Sequence, residues 1–263
     1  MSEIRLSNLM DFLEEKYPLN DAMTWDHVGL QIGDPTRVVK KVFTTLDVTP
    51  SVVDHAVKNG FDTIVSHHPL LFHSIQSMNL TIPRNEMYQK IIKNNLNVYS
   101  MHTNFDVGTN GMNDGLAEML GLTNVEGICP VKTKQGVKSI GRMGDTQLTV
   151  DEIVEKFKSR LKIKMIRLLS NYKPVRKVGI VGGAGAEFIT PAFNSGVDLF
   201  ITGDVKYHDF LDAQIAGYAV LDVGHVAEKI FAERMAIMIN KNLNLTVEAN
   251  DLDKMEILYL EDK

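Results

Sequence analysis

Five residues of this chain have side chains suited to holding divalent metal: His67, His68, Asp106, His225 and Glu228. Imidazole nitrogens and carboxylate oxygens with open positions admit Zn, Fe, Mn, Ni or Co. His67 and His68 end the apolar run Thr63-Ile64-Val65 in DTIVSHHPLLF, and Pro69 breaks any regular continuation. Neighbours in an extended chain point to opposite sides, so the pair is badly placed to chelate one ion and well placed to serve two. In DVGHVAEKIFAERM, His225 and Glu228 stand three residues apart at the first turn of a predicted helix and project to one side, which puts Glu228 in reach of a bridging role. MHTNFDVGTNGMND contributes Asp106, a second carboxylate that offsets the repulsion between two divalent cations. His102, four residues earlier, is a neighbour of the ligands and a candidate proton carrier near neutral pH. The candidate catalytic residues are therefore His102 and Glu228, and the expected cofactors are two divalent ions per chain.

Each of these residues alone has an ordinary explanation. A buried histidine is usually hydrogen-bonded core, and a glutamate near a helix start is accounted for by the helix dipole. The chain has only eight histidines, and the placement of several beside carboxylates at strand ends favours the metal reading. His55 and His73 are read as ordinary surface or core residues. GIVGGAGAEF follows a strand as phosphate-binding turns do, but it lacks the third glycine of G-x-G-x-x-G and any Walker lysine. Gly183 and Gly185 are thus weak substrate-binding candidates, balanced against a role for Gly182, Gly183 and Gly185 in tight packing. WDHVGLQIG, with the single tryptophan, is either a buried turn or a wall of the site.

The elements that position these residues alternate. LSNLMDFLEEKY reads as an amphipathic helix with Ser7 as N-cap, KVFTTLDV as a strand, SVVDHAVKN as a helix stopped by Gly60, and FDTIVS as a strand. NEMYQKIIKNN is a helix, LNVYSM a strand and GMNDGLAEML a helix closed by Gly121. Residues 41–67 overlie 177–203 without a gap, with identities at Lys41/Lys177, Val42/Val178, Ala56/Ala192, Gly60/Gly196 and Asp62/Asp198. This predicts a duplicated α/β unit: mixed or parallel sheets flanked by helices, with ligands at the carboxyl edges of the strands.

At 263 residues with 44% hydrophobic composition, the chain can bury about three quarters of its unfolded surface and needs no staples. A single cysteine, Cys129, excludes an intramolecular disulfide or thiolate cluster. The N-terminus lacks the pattern of a signal peptide, and no run of eighteen apolar residues occurs, so a cytoplasmic protein with no membrane span is expected. The net charge of -5 is dispersed, and the basic stretch KTKQGVK lacks interleaved aromatics, which disfavours nucleic acid as a partner.

Taken together, WDHVGLQIG, SHHPLLF, HTNFD, GGAG, TGDVKYH and GHVAE, in this order, resemble the signature blocks of the GTP cyclohydrolase I type 2 homolog family, also called NIF-three-like or dinuclear-metal-centre proteins. The resemblance implies a two-lobed α/β fold with a metal pair in the cleft, divided as 1–125 with 225–263 against 126–224. It also implies a toroidal homohexamer. By position, His67, His68, Asp106, His225 and Glu228 fall on the family's ligands and His102 on the histidine of its H-T-N motif. His27 departs from the family's usual asparagine. Only about seventy residues, 107–176, separate the halves, as in the family's short form without an inserted domain. The function so implied is metal-dependent hydrolysis of a nucleotide or another small phosphorylated or heterocyclic substrate, GTP being the named candidate. The alternative is a protein that stores, carries or inserts iron or another divalent ion, and a third reading, a scaffold ring, leaves five potential ligands unused.

Overall fold

The computed structural model describes residues 3–251; residues 252–263, counted in the first expected lobe, lie outside the described residues. In chain order the elements are α1 (Leu6–Lys16), β1 (Gly29–Ile32), β2 (Lys41–Thr45), α2 (Pro50–Lys58), β3 (Thr63–Ser66), α3 (Pro83–Lys93), β4 (Asn97–Ser100), α4 (Thr103–Val107) and α5 (Met112–Leu120). A hairpin of β5 (Thr123–Thr133) and β6 (Gly136–Asp145) follows. Then come α6 (Val150–Leu161), β7 (Arg167–Leu169), β8 (Lys177–Ala184), α7 (Ile189–Asn194), β9 (Leu199–Gly203), α8 (Tyr207–Ala216), β10 (Val220–Asp222), a 3-10 turn at His225–Lys229, α9 (Ile230–Asn242) and β11 (Thr246–Ala249).

Local chemistry explains several boundaries. Thr49 Oγ1 accepts from Val52 N, and Pro50 takes the first turn of α2, where its missing N–H is no loss. Gly121, at φ +75°, closes α5 in the left-handed conformation. Ser7, the expected cap of α1, lies inside the first turn instead. Arg5 is the cap, because it forms a bridge to Val38 that holds it extended, and its N–H is accepted by Asn8 Oδ1. Among the described residues, no helix is long and apolar enough to cross a membrane.

The strands form two mixed sheets. One runs β1-β4-β3-β2-β11, with β1 antiparallel and the others parallel. The other runs β5-β6-β8-β9-β10-β7, with β8, β9 and β10 parallel. Period-two alternation splits each strand between two cores. Val42, Val65 and Tyr99 face inward, and so do Leu199, Ile201 and Leu221 of the second sheet. Between them lie α1, α5, α6 and α9, through residues such as Leu9, Leu116, Phe157 and Phe231. Phe43, Ile64 and Val98 face outward onto α2 and α3, while Phe200 and Val220 face α7 and α8. Both sheets are thus covered on both faces, which is why their parallel strands read as apolar runs rather than alternating ones.

The duplication extends well beyond 41–67. Val42 pairs with Thr63 and Val178 with Leu199, the same offset in each unit. Asp62 Oδ2 accepts from Lys40 N and Lys41 N, and Asp198 Oδ2 accepts from Arg176 N and Lys177 N. The order β1-β4-β3-β2 recurs as β7-β10-β9-β8. After the third parallel strand, Met101 N donates to Ser66 O and Val223 N to Thr202 O. One turn of helix follows in each unit, Thr103–Val107 and His225–Lys229, and its fourth residue is Asp106 in one and Glu228 in the other. Asp62→Ala and Asp198→Ala are expected to cost similar amounts, about 1.5–3 kcal/mol each for lost hydrogen bonds to a charged acceptor, measured by urea unfolding. A cost confined to one of them would mean that the clasps are not equivalent.

Candidate metal centre

The carboxyl ends of both parallel sets meet, and the five expected ligands meet there. His67 follows β3 and is fully buried. Its Nδ1 lies 2.8 Å from Met101 O, and since a carbonyl only accepts, Nδ1 carries the proton and Nε2 presents a lone pair to the site. That Nε2 is 3.5 Å from Asp106 Oδ1 and 3.7 Å from Glu228 Oε1. Both His67 Nε2 and Asp106 Oδ1 are buried without a hydrogen-bond partner. Buried polar atoms are rarely left so, and a cation would satisfy both; the donor set fits one.

His68 turns to a second group. Its Nε2 is 3.1 Å from Glu228 Oε2 and 3.2 Å from His225 Nε2, while His225 Nε2 is 3.0 Å from the same Oε2. Glu228 thus offers Oε1 toward His67 and Oε2 toward His68 and His225. Metal-sized groupings are His67, Asp106 and Glu228; His68, His225 and Glu228; and His67, His68 and His102. The adjacent histidines serve different carboxylate-bearing groups, as their alternation requires, and share a third with His102.

The helix expected to begin at His225 is divided. His225–Lys229 is a separate 3-10 turn, and α9 starts at Ile230. Residues three apart eclipse in a 3-10 turn, so His225 and Glu228 align more closely than on an α-helix. The turn packs closely on the strand ends beneath it. Gly203 occupies the place that His67 holds in the first repeat, and a Cβ there would come within 2.7 Å of Gly224 C and 2.8 Å of His225 N. Gly183, the counterpart of Asp47, has φ +66°, and a Cβ would press on the Glu228 carboxylate, 2.9 Å from its Cδ. Gly182 packs on Leu116 and Met112, and Gly185 on Thr202 and Val181. At Gly182 and Gly183 the close packing includes Glu228. Gly183→Ala is expected to cost about 1–3 kcal/mol and to lower metal content, read by thermal melting and elemental analysis.

The electrostatics are strongly coupled. Burial pushes the imidazolium of His67 down to about 4, against the pull of Glu228. Burial also works against charge on His68, but hydrogen bonds to Asp47 and Glu228 outweigh it and lift its pKa to about 10. His225 rises to about 9 through its bond to Glu228, opposed by burial and helped by Asp204. Burial and the Glu228 charge push Asp106 well above the usual carboxylate range. Burial would raise Glu228 as well, yet the surrounding histidines hold it well below its ordinary value.

Three carboxylates that the sequence reading did not assign orient these rings. Asp47 Oδ1 accepts from His68 Nδ1 at 2.7 Å, and Asp204 Oδ2 from His225 Nδ1 at 2.7 Å. Asp26 Oδ1 lies 3.1 Å from His102 Nδ1, and its Oδ2 accepts from Thr103 N and Oγ1. Burial would raise Asp26, but the bonds to His102 and Thr103 prevail and bring it to about 2. Asp47 and Asp204 follow β2 and β9, so the strand-end argument that picked out the ligands also points to them. Nothing in the spacing of WDH linked Asp26 to a histidine 76 positions away. His27, beside it, is exposed.

The family model for Duf34/NIF3 (NGG1p interacting factor 3) matches residues 4–255. A Clostridium perfringens protein named GTP cyclohydrolase 1 type 2 homolog is 34% identical over 225 residues, 84% of this chain and 86% of that one. A Staphylococcus aureus protein of the same name is 26% identical over 368 aligned residues, covering 98% of this chain and all of its own; since this chain has 263, that relative carries residues absent here. The crystal structure of a Staphylococcus aureus hypothetical protein superposes with a TM-score of 0.89 at 28% identity, over 98% of this chain and 100% of that one. On sequence and fold alike, the chain belongs to the Duf34/NIF3 family.

Proposed function

We propose that this protein is a dinuclear-metal hydrolase of a nucleotide or another small phosphorylated or heterocyclic substrate. The observation that carries this reading is Glu228, whose two oxygens face two separate donor groups, beside the unpartnered His67 Nε2 and Asp106 Oδ1. His67, Asp106 and Glu228 would hold one ion, and His68, His225 and Glu228 the other; Zn, Fe, Mn, Ni and Co all suit such donors. Divalent ions held there would supply an acidified water and neutralise charge developing on oxygen. His102, with Nδ1 given to Asp26, keeps Nε2 to hold or move a proton. The names of the relatives, GTP cyclohydrolase 1 type 2 homolog, make GTP the first substrate to try. A toroidal homohexamer in the cytoplasm is part of this reading. In support of self-association, α8 exposes Tyr207, Leu211 and Ile215 at intervals of four.

A second reading, storage or delivery of a metal ion without catalysis, draws on a different observation. Among the described residues, the hydrogen bonds and ion pairs of the five ligands involve no lysine or arginine, the usual partners of a phosphate. The test is metal content per chain of protein purified without an affinity tag, followed by a panel of nucleotides. About two ions with turnover supports the hydrolase. Two ions, no turnover and transfer to a metal-free acceptor supports delivery, and a content near zero that reconstitution does not raise overturns both.

A further inference from the structure

Trp25, the single tryptophan of the chain, is 52% exposed, and Phe72 is 44% exposed. Large aromatic surface left in water beside a polar cluster marks a place where something binds. Neither ring sits on loose chain. Trp25 precedes Asp26, whose carboxylate is tied to His102 and Thr103 and whose carbonyl accepts from Lys134 Nζ at 2.7 Å. Phe72 follows Leu71, whose N–H donates to Gln31 Oε1, and the same amide donates to His27 O and Gly29 O, joining the two walls. The rings of Trp25, Phe72 and His102 meet in pairs at 5.9–6.2 Å and 65–74°. Among the described residues, neither Trp25 nor Phe72 makes a stacked contact, so the chain itself supplies no face-to-face partner. His102 spans from this corner to the ligands, with its ring 5.2 Å from His67 and 5.5 Å from His68.

We propose that Trp25, braced by the Phe72 ring set at 65° to it, offers its exposed face as a stacking platform for a planar heteroaromatic ring, of the size a purine nucleoside carries, whose edge then faces the metal ligands across His102. This names a substrate class for the hydrolase reading and rests on it. Stacking is tolerant of base identity because every base offers a π face.

The lone tryptophan reports binding through its own fluorescence. Metal-loaded protein is titrated with guanosine, adenosine and ribose 5-phosphate. Both nucleosides are expected to quench Trp25 with similar affinity, and ribose 5-phosphate to leave it unchanged. Phe72→Ala, followed by fluorescence, and Trp25→Leu, followed by calorimetry, are expected to weaken nucleoside binding about ten-fold with metal content unchanged. The platform is overturned by absence of quenching, by equal binding of ribose 5-phosphate, or by turnover that both variants leave intact; that last result spares the hydrolase reading. Nucleoside binding without turnover on any substrate keeps the platform and overturns the hydrolase.

Discussion

Glu228→Gln is expected to reduce metal content from about two ions per chain to well below one, and to lower any turnover about 100-fold or more. Glutamine matches the shape of glutamate, so the loss reports charge and donor type rather than packing. The buried carboxylate sits 3.0–3.7 Å from His67, His68 and His225 and serves both donor groups; an amide offers one neutral oxygen and an N–H that faces ring nitrogens. Asp47→Asn is the informative contrast. The Asp47 carboxylate bonds the far side of His68, and losing such an orienting partner weakens metal affinity about 10–100-fold while two ions still bind at saturation. Elemental analysis after dialysis against graded metal concentrations separates the two behaviours. Retention of two tightly held ions by Glu228→Gln would contradict the shared-carboxylate geometry.

Metal loading is expected to release at least two protons per chain at pH 7. His68 and His225, at about 10 and about 9, carry protons there, and both must surrender them to act as ligands. Apparent affinity should therefore rise at least about 100-fold per pH unit near neutrality. Calorimetry in buffers of different ionisation enthalpy counts the protons, and heats independent of buffer would refute the assignment. The same shifts govern metal-free stability. A histidine raised above its unfolded pKa of about 6.5 stabilises fully below that pH, and its contribution is lost as pH climbs through about 9 to 10. His67, depressed to about 4, does the opposite: its contribution is complete above about pH 6.5 and is lost as pH falls toward 4. Metal-free protein should thus melt at lower temperature on both sides of about pH 6.5, whereas the alkaline loss should vanish once metal has replaced the two protons. Thermal melts of the two forms from pH 5 to pH 10 measure this.

Much of the local structure could be read from the chain. The apolar runs of β2, β3, β4, β8 and β9, the helix stops at Gly60 and Gly121, and an ungapped repeat were enough to predict helix-covered sheets with ligands at strand ends. Period-two burial and left-handed glycines are properties of a few consecutive residues, and so they survive in one sequence. The 3-10 turn at His225–Lys229 was hidden, and so was its close packing on Gly203, distant in sequence but directly beneath it. The reach of the duplication was equally hidden, because register and the Asp62 and Asp198 clasps are backbone features that persist after most side chains have changed. By itself, then, the sequence determined the elements and the residue types able to hold metal. Only the tertiary structure decided that Glu228 faces two groups, that Asp26, Asp47 and Asp204 aim the histidines, and that Trp25 and Phe72 meet at the ring of His102, because each depends on distances between chain segments that no local pattern encodes.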